Sequence, residues 1–382
     1  MHMSARRPLT DRDRALMAMA RYEDLGTHGK PTPIEALVEI FQREPAQISR
    51  AISSALTEGL VTVHIRDNGG RRPSRVPELE RRLKDKFERL RLTLVVESPP
   101  SQTDQLAYSD EVHRRLGSAM GEEIARGGFI RDGEAIGIGS GRGVYETVRA
   151  LQRQPPIRAR NVSLVSLSGM GYMRHHSVRR NLILDADFIV SFMGQAFEDP
   201  VTMSLVASSL IHEKPLRLSP EPWILQDERK RAHLSTALLG VGTFTPGNRF
   251  YEESGANLTQ HQAVYDPIRA GLRSLRGAEA AMKSEGHHPI ADLGYHLFIV
   301  PKKKLSEAER QTIDILRRQA DVINESILSA NTTHFASTNT LTIIAGTDVK
   351  AHAIEQLLID STLPPVNLCT DERAARIMLR KD

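Results

Sequence analysis

The residues most able to do chemistry form a glycine-rich segment, GIGSGRG, over residues 137–143. It follows an apolar run that ends at Ile138 and precedes a helix-like stretch over 144–151. Glycines at such a strand-to-helix turn let backbone N–H groups converge on an anion, and the helix adds the positive end of its dipole. Glycines that serve only a tight bend are the alternative. The positions expected to hold a small phosphorylated molecule are Gly139, Ser140, Gly141, Arg142 and Gly143.

Two common nucleotide-binding loops do not fit this segment. A Walker loop needs Lys followed by Ser or Thr, and Arg142 stands where that Lys would be. The dinucleotide fingerprint needs a third glycine at the same place and an acidic ribose partner further on, and neither is present. Nucleotide hydrolysis and nicotinamide chemistry are therefore not expected.

The elements that must position this segment alternate along the chain from Leu92 onward. The predicted strands are LTLVVES, AIGIG, VSLVSLSG, ALLGVGTF, LTIIAG and VNLCTDE, separated by helix-like stretches. This alternation predicts an α/β fold with a parallel sheet covered by helices, in which ligands bind at the carboxyl ends of the strands. Further polar candidates expected near those ends are Arg174, His175, His176, Asp292, Lys350, Asp371 and Glu372.

Each of these candidates has a simpler structural alternative. Asp292 could cap a helix or form a structural salt bridge, Lys350 could be a surface charge, and His175 with His176 could lie in a solvated loop. The pair His287–His288 has no third ligand at a suitable spacing, so we expect no metal site. The sequence also indicates no cofactor.

Length and composition limit the class of protein. A chain of 382 residues can hold two or three domains. Its single cysteine, Cys369, excludes an internal disulfide framework and fits a reducing compartment. The sequence shows no membrane-length apolar run and no signal-peptide core, so we expect a soluble, cytoplasmic protein without a membrane partner.

The net charge of +4 is carried by the N-terminal part of the chain. Residues 1–90 hold 17 Lys and Arg against 13 Asp and Glu, which leaves the rest of the chain neutral. This asymmetry is a weak indication of an arm that binds nucleic acid, although a solvated surface would give the same count.

Three helices predicted near the N-terminus are typical of a helix-turn-helix. Thr10 and Asp13 form a capping box for the first, which is expected to bury Leu16, Met19 and Ala20. The second is expected to have Thr32 as N-cap and Pro33 at its first position. The third begins at Pro45, and the apolar residues predicted on its buried face are Ile48, Ile52, Ala55 and Leu56.

The exposed face of the third helix carries residue types that read DNA. Arg and Gln can form paired hydrogen bonds with guanine and adenine, and Ser can bind phosphate or base edges. A strand-like run over 60–65, a turn at 68–70 and the basic residues Arg71, Arg72 and Arg75 then predict a basic wing, although a plain solvated face is the alternative. The predicted DNA-binding residues are Gln47, Ser49, Arg50, Ser53, Arg71 and Arg72.

A linker helix is predicted to follow Pro77. Its apolar stripe of Leu79, Leu83, Phe87 and Leu90 fits equally well a coiled-coil contact with a second copy or packing against the following domain. We therefore expect a DNA-binding domain over 1–75, a linker helix over 76–90 and an effector domain over 91–382. A dimer is expected because such domains usually read two half-sites.

Several ordered blocks resemble the SorC family of transcriptional regulators (DeoR/SorC type). EPAQISRAISSALTEGLVTVHI is similar to the recognition helix and following strand, and PELERRLKDKF to the linker. The remaining blocks are GIGSGRGVYETVRAL, ALLGVGTFTP, IADLGYHLF, IAGTDVKAHAI and LCTDERAARIML. The chain departs from the family pattern at Gly346–Thr347, where paired glycines are usual, at Pro364–Pro365 and at Glu44–Pro45.

The resemblance implies a bacterial regulator that binds a double-stranded DNA operator and is not an enzyme. Its winged helix-turn-helix would precede a Rossmann-like α/β effector domain similar to sugar-phosphate isomerases, which binds a phosphorylated sugar or polyol without converting it. It also implies a homotetramer, built as a dimer of dimers. By matching motif positions, residues 140–143 would cradle a phosphate, Asp292 would bind sugar hydroxyls, and Lys350 would pair with the phosphate. A sugar-phosphate isomerase or deaminase with a DNA-binding arm is the alternative.

Overall fold

The computed structural model divides into two compact units, Met1–Arg71 and Arg72–Asp382. It describes residues 9–23, 32–58, 60, 74–100, 105–126, 128–168, 186–204, 233–245, 262–282, 288–301, 306–325, 330 and 332–380. Within these residues, none of the helices is both long and apolar enough to cross a membrane.

Three helices make up the described part of the first unit: α1 (Asp11–Glu23), α2 (Ile34–Phe41) and α3 (Pro45–Thr57). The predicted capping box of α1 is present, because the Asp13 carboxylate accepts from the Thr10 backbone N–H at 2.9 Å and the Thr10 hydroxyl accepts from the Asp13 N–H at 3.2 Å. The buried residues shared by the three helices are Met17, Ala18, Leu37, Ile48, Ala51, Ile52 and Ala55.

Two local predictions in this unit are wrong. The α1 helix buries Met17 and Ala18, whereas Leu16, which was expected on the buried face, is 44% exposed. Ala20, also expected there, does pack against this core. Thr32 does not cap α2, whose N-cap is Pro33 without a side-chain hydrogen bond. The Thr32 hydroxyl instead donates to the Ala20 carbonyl at 2.9 Å and so joins the start of α2 to α1.

Of the predicted wing, the structure describes only Leu60, which is exposed, and Arg75, whose guanidinium pairs with the Glu80 carboxylate at 2.7 Å. The other two arginines predicted for the wing, Arg71 and Arg72, lie outside the described residues. Their role in DNA binding therefore stays a prediction from the sequence.

The second unit contains a seven-stranded sheet in which every pairing is parallel. Its strands lie in the order β1-β10-β9-β5-β2-β3-β4. Each apolar segment predicted as a strand contributes one of its members, so the α/β fold class is confirmed. The strands are β1 (Leu90–Val96), β2 (Ala135–Ile138), β3 (Ser163–Ser166), β4 (Thr202–Ser204), β5 (Thr236–Leu239), β9 (Leu341–Ile344) and β10 (Val366–Asp371).

Helices cover this sheet because its strands, except the edge strand β4, are buried along most of their length and both faces need apolar partners. Two large apolar clusters result, one of them centred on α5 and α6 and their contacts with β2 and β10. The helices are α4 (Pro77–Lys86), α5 (Gln105–Ala125), α6 (Arg142–Leu151), α7 (Ala186–Gly194), α8 (Gln262–Met282), α9 (Glu307–Glu325), α10 (Thr332–Ala336), α11 (Ala351–Ile359) and α12 (Glu372–Leu379).

A second, antiparallel sheet has three strands: β6 (Val241–Thr243), β7 (Ile290–Leu293) and β8 (His296–Ile299). The single strand predicted for ALLGVGTF is therefore two strands, which separate at Gly240 and join different sheets. Asp292 also differs from expectation, because it lies within β7 and not after a strand of the parallel sheet. The IADLGYHLF block forms the β7–β8 hairpin, whose turn residues Gly294 and Tyr295 both have positive φ.

The linker helix α4 packs within the second unit. Leu79, Leu83 and Phe87 are buried in the same apolar cluster as residues of β10 and α12. Of the two interpretations that the sequence left open, packing against the effector domain accounts for this stripe.

Candidate functional site

The glycine-rich turn lies where β2 ends and α6 begins, at the carboxyl edge of the parallel sheet. Gly141 is the N-cap of α6, with φ 116° and ψ 163°, a conformation that residues with a side chain rarely adopt. A Cβ atom at this position would meet no atom within 4 Å, so the turn is open beside Gly141. Ser140 is buried, with 7% exposure.

Gly143 has a different reason to be glycine. A Cβ atom there would lie 2.6 Å from the Ile344 carbonyl oxygen, so the first turn of α6 packs directly on the end of β9. Gly143 therefore serves close packing, which is neither an anion contact nor the tight bend that was the alternative. Gly141 differs, because its backbone conformation and open surroundings suit an anion-binding turn.

Lys350 lies at the end of a short 3₁₀ helix, Asp348–Lys350, that follows β9. Its ammonium Nζ is 3.1 Å from Nε2 of His113 on α5. Burial lowers the pKa of Lys350 to about 8, with Asp292 and Asp371 opposing this shift and Arg142 adding to it. These interactions bring four of the predicted site residues into one electrostatic neighbourhood.

Asp371 is fully buried at the end of β10, and both of its carboxylate oxygens have protein partners. Its Oδ1 accepts from the Thr347 backbone N–H at 2.7 Å, and its Oδ2 accepts from the Ser98 hydroxyl at 2.6 Å. Oδ2 also accepts from the Arg373 N–H at 3.3 Å. Asp371 therefore joins the carboxyl ends of β1, β9 and β10.

Thr347 occupies the position where the resemblance described above implies the second of two glycines. Its φ of 82° and ψ of 151° lie in a region that is almost exclusive to glycine. The residue is buried, and its N–H is the donor to Asp371. Thr347 therefore introduces backbone strain directly into the loop that carries Lys350.

The other predicted ligand residues are placed less directly. Glu372 begins α12, and its Oε1 accepts two hydrogen bonds from the Arg376 guanidinium, at 2.9 and 2.6 Å. The Asp292 carboxylate is buried and accepts from the Tyr295 N–H at 3.4 Å. Arg174, His175 and His176 lie outside the described residues.

Sequence reasoning missed two residues of α5 that contact the predicted cations. Asp110 forms an ion pair with Arg142, and His113 contacts Lys350. Ser98, which binds Asp371, was missed as well. The i, i+3 spacing of Asp110 and His113 would place them on one helical face, but the sequence does not show which elements that face meets.

The candidate DNA-contacting surface lies on α3. Ser49, Arg50 and Ser53 are exposed, while Gln47 is half-buried. The Arg50 guanidinium Nε donates to the Ala46 carbonyl at 3.1 Å. The helix therefore presents the predicted polar side chains while its opposite face forms the core of the first unit.

In the part of the chain that the structure describes, no three His, Cys, Asp or Glu residues are arranged to hold a metal ion. His288 instead pairs with Glu279, with 3.0 Å between Nδ1 and Oε1, and both side chains are buried. This contact gives His288 a structural partner on α8.

The family model described as "Putative sugar-binding domain" matches residues 71–266, which is more than half of the chain. The chain belongs to this family. No curated protein sequence matches it.

Solved structures share its fold at low sequence identity. The chain is similar to the full-length sorbitol operon regulator SorC from Klebsiella pneumoniae, with 16% identity, a TM-score of 0.53, and coverage of 97% of this chain and 99% of that one. It is also similar to a DeoR family transcriptional regulator from Listeria monocytogenes, with 16% identity, a TM-score of 0.55, and coverage of 79% and 98%. A third similar structure is a transcriptional regulator from Streptococcus pneumoniae, with 14% identity, a TM-score of 0.53, and coverage of 79% of this chain and 95% of that one. The resemblance to SorC-type regulators is thus confirmed in fold, and the family model places the chain in the sugar-binding-domain family.

Proposed function

We propose that this protein is a cytoplasmic transcriptional regulator whose affinity for a DNA operator is controlled by a phosphorylated sugar or polyol. Membership of the sugar-binding family and the shared fold of SorC-type regulators support the class. The proposed domains are the DNA-binding domain over 1–75, the linker over 76–90 and the effector domain over 91–382. The linker is helical only over Pro77–Lys86, because Leu90 already begins β1.

The observation that carries the effector assignment is the electrostatic neighbourhood around Lys350. Arg142 and Lys350 supply two cations beside an open glycine turn at the carboxyl edge of a parallel sheet, where such folds bind ligands. A phosphate group is the ligand that two cations and a helix N-terminus suit best. Asp292, which is buried in the same neighbourhood, is the proposed acceptor for sugar hydroxyl groups.

The route from the effector site to the DNA-binding domain is proposed to pass through the end of β1. Ser98 binds Asp371, and the neighbouring Glu97 N–H donates to the Ser74 carbonyl at 2.8 Å. Arg75 pairs with Val96 in an antiparallel bridge, just before α4 begins. A ligand that favours one arrangement of this edge would then change operator affinity, by about five- to 150-fold for a coupling of 1–3 kcal/mol.

The proposed homotetramer has one supporting feature in the second unit. Ile315 and Val322 lie two turns apart on α9 and are 47% and 52% exposed. Exposed apolar residues on one helical face suit an interface between copies of the chain.

An enzyme is the second candidate, because related folds support catalysis. The fully bonded Asp371 and the interior position of Asp292 in β7 do not form a general acid and base pair. Incubation of the pure protein with sugar phosphates distinguishes the two functions, because product formation would identify an enzyme.

The test of the proposed function combines ligand binding with operator binding. Phosphorylated sugars and polyols are screened for an increase in Tm, since preferential binding to the folded protein must stabilise it. The compound found is then added to a gel-shift assay with DNA from the promoter region of the protein's own gene. Lys350→Ala is expected to remove the response to the compound and to leave DNA binding without it intact.

The DNA-binding residues are tested in the same assay. Arg50→Ala is expected to weaken operator binding by about 1–3 kcal/mol and to reduce sequence preference. Arg71→Ala and Arg72→Ala are expected to weaken binding to every sequence and to flatten its salt dependence. Operator affinity that does not change in any of the three variants would contradict the DNA-binding assignment.

A further inference from the structure

One helix contacts both cations of the proposed anion site. Asp110 and His113 lie three residues apart on α5, and therefore on the same helical face. Asp110 is paired with Arg142 of the glycine-rich turn, and His113 is paired with Lys350 of the loop after β9. The two contacts differ in chemistry, because one partner is a carboxylate and the other is an imidazole.

The Asp110 contact satisfies Arg142 with a negative charge from the protein itself. The two side chains are 42% and 37% exposed, so a dissolved anion can reach the pair. An anion that binds Arg142 must share it with Asp110 or displace this carboxylate. Ion pairs with this degree of exposure are weak, so such displacement is feasible.

The His113 contact leaves the charge of Lys350 available. The His113 Nδ1 is 2.6 Å from the Ser109 carbonyl and must donate to it, which leaves Nε2 as a neutral acceptor. Burial, together with the Lys350 charge, lowers the pKa of His113 to about 3, so the ring stays neutral. An ammonium has three donors, so Lys350 keeps two of them for a ligand while His113 fixes its position.

We propose that Asp110 and His113 set the anion affinity of this site in opposite directions. Asp110 is a built-in competitor for the anion, and His113 is a positioning residue that holds Lys350 where the anion binds. This inference rests on the proposed function, because it requires Arg142 and Lys350 to bind the same anionic group.

The test measures inorganic phosphate binding to the full-length protein by calorimetry at pH 7. Asp110→Asn is expected to tighten phosphate binding by about two- to fivefold, the factor that corresponds to loss of an exposed ion pair. His113→Leu is expected to weaken it several-fold, while His113→Gln restores part of the affinity because its amide oxygen can accept from Lys350. The matched control is Glu123→Gln, which removes the same charge from the same helix. In the wild-type protein the Glu123 side chain pairs with Arg126.

A double-mutant cycle separates competition at Arg142 from a general change in charge. In an Arg142→Gln background, Asp110→Asn is expected to give no more gain than Glu123→Gln gives. If Asp110→Asn does not tighten binding, or if Glu123→Gln tightens it equally, competition by Asp110 is wrong. If His113→Gln binds as weakly as His113→Leu, the positioning role of His113 is wrong.

Failure of the proposed function gives a different pattern. If millimolar phosphate binds neither the wild-type protein nor the Asp110→Asn variant, the proposed anion site is wrong. The inference that rests on this site is then wrong as well. The same conclusion follows if Arg142→Gln and Lys350→Ala both leave phosphate affinity unchanged. Weaker binding in those two variants, without the opposite effects of Asp110 and His113, would remove only the further inference.

Discussion

The two loops that follow β2 and β9 adopt nearly the same unusual backbone conformation with different residues. Gly141 has φ 116° and ψ 163°, and Thr347 has φ 82° and ψ 151°. A side chain at Gly141 would find open space, whereas Thr347 is buried and its N–H is bonded to Asp371. The conformation is tolerated by glycine in the first loop and is held by a buried carboxylate in the second.

This difference separates two tasks at one edge of the sheet. Gly141 adopts its conformation without a side-chain penalty and lies beside open space, so an incoming anion can approach its backbone. The N–H of the neighbouring Gly139 is already used, because it donates to the Leu238 carbonyl at 2.8 Å. The loop around Thr347 needs Asp371 to keep its shape, and it carries the lysine that would contact the anion. Asp371 is therefore placed to support ligand binding through Thr347, and its direct contact with a ligand stays a prediction.

The largest effect is expected when the carboxylate is removed from the second loop. Asp371→Ala leaves the Thr347 N–H and the Ser98 hydroxyl without their acceptor, and we expect the free energy of unfolding to fall by about 2–4 kcal/mol. Urea unfolding measures this loss. Asp132→Ala is the control, because Asp132 accepts an exposed backbone hydrogen bond from Arg160 that water can replace. Equal midpoints for the two variants would show that Asp371 does not hold the loop.

The next largest effect is expected when Gly141 of the first loop is replaced by threonine, the residue type at the corresponding position of the second loop. Gly141→Thr introduces backbone strain without steric contact, because a Cβ atom there meets nothing within 4 Å. We expect a loss of about 1–3 kcal/mol in the free energy of unfolding, from the backbone conformation alone. Thermal unfolding checks this value, and a Tm equal to that of the wild-type protein would show that the loop adapts freely.

The third prediction uses the pH dependence of the cation in the second loop. Lys350 has a pKa of about 8, so its charge is lost as the pH rises through 8, while a phosphate monoester remains a dianion. Phosphate affinity is therefore expected to fall above pH 8, by up to about tenfold per pH unit. Lys350→Arg keeps its charge at these pH values and should abolish the fall. An equal decline in both proteins would assign it to another group.

The smallest effect is expected when Thr347 of the second loop is replaced by glycine. Thr347→Gly relieves the strained backbone, worth about 1–3 kcal/mol, but it also loses a buried side chain and increases the freedom of the unfolded chain. We expect a net gain in stability below about 1 kcal/mol, measured as an upward shift in the urea midpoint. A clear loss of stability would mean that packing of the Thr347 side chain outweighs the strain.

Much of this architecture follows from local patterns in the sequence. Six of the seven strands of the parallel sheet were predictable because buried parallel strands are short apolar runs, whereas the exposed strand β4 was not. The capping box at Thr10 and Asp13 was predictable from spacing alone. The face of α1 was not, because in a short run with Leu16, Met17 and Ala18 in succession only tertiary contacts decide which residue is buried.

The candidate site was predictable in its parts and not in its connections. The glycine turn and Lys350 were identified by motif, but the partners of Arg142 and Lys350 come from α5, which has no motif of its own. The apolar run ALLGVGTF also passes from the parallel sheet to the antiparallel sheet at Gly240, and the run itself does not indicate this change. Such long-range pairings depend on how helices and strands are arranged in space, and local spacing does not encode this.

The single thiol of the chain is a reporter of motion in this region. Cys369 lies fully buried in β10, and its Sγ is 3.4 Å from the Leu116 carbonyl of α5. Burial raises the pKa of this thiol, so it is unreactive while α5 covers it. The rate at which a thiol reagent modifies the native protein therefore measures how often α5 lifts from the sheet, without an engineered label.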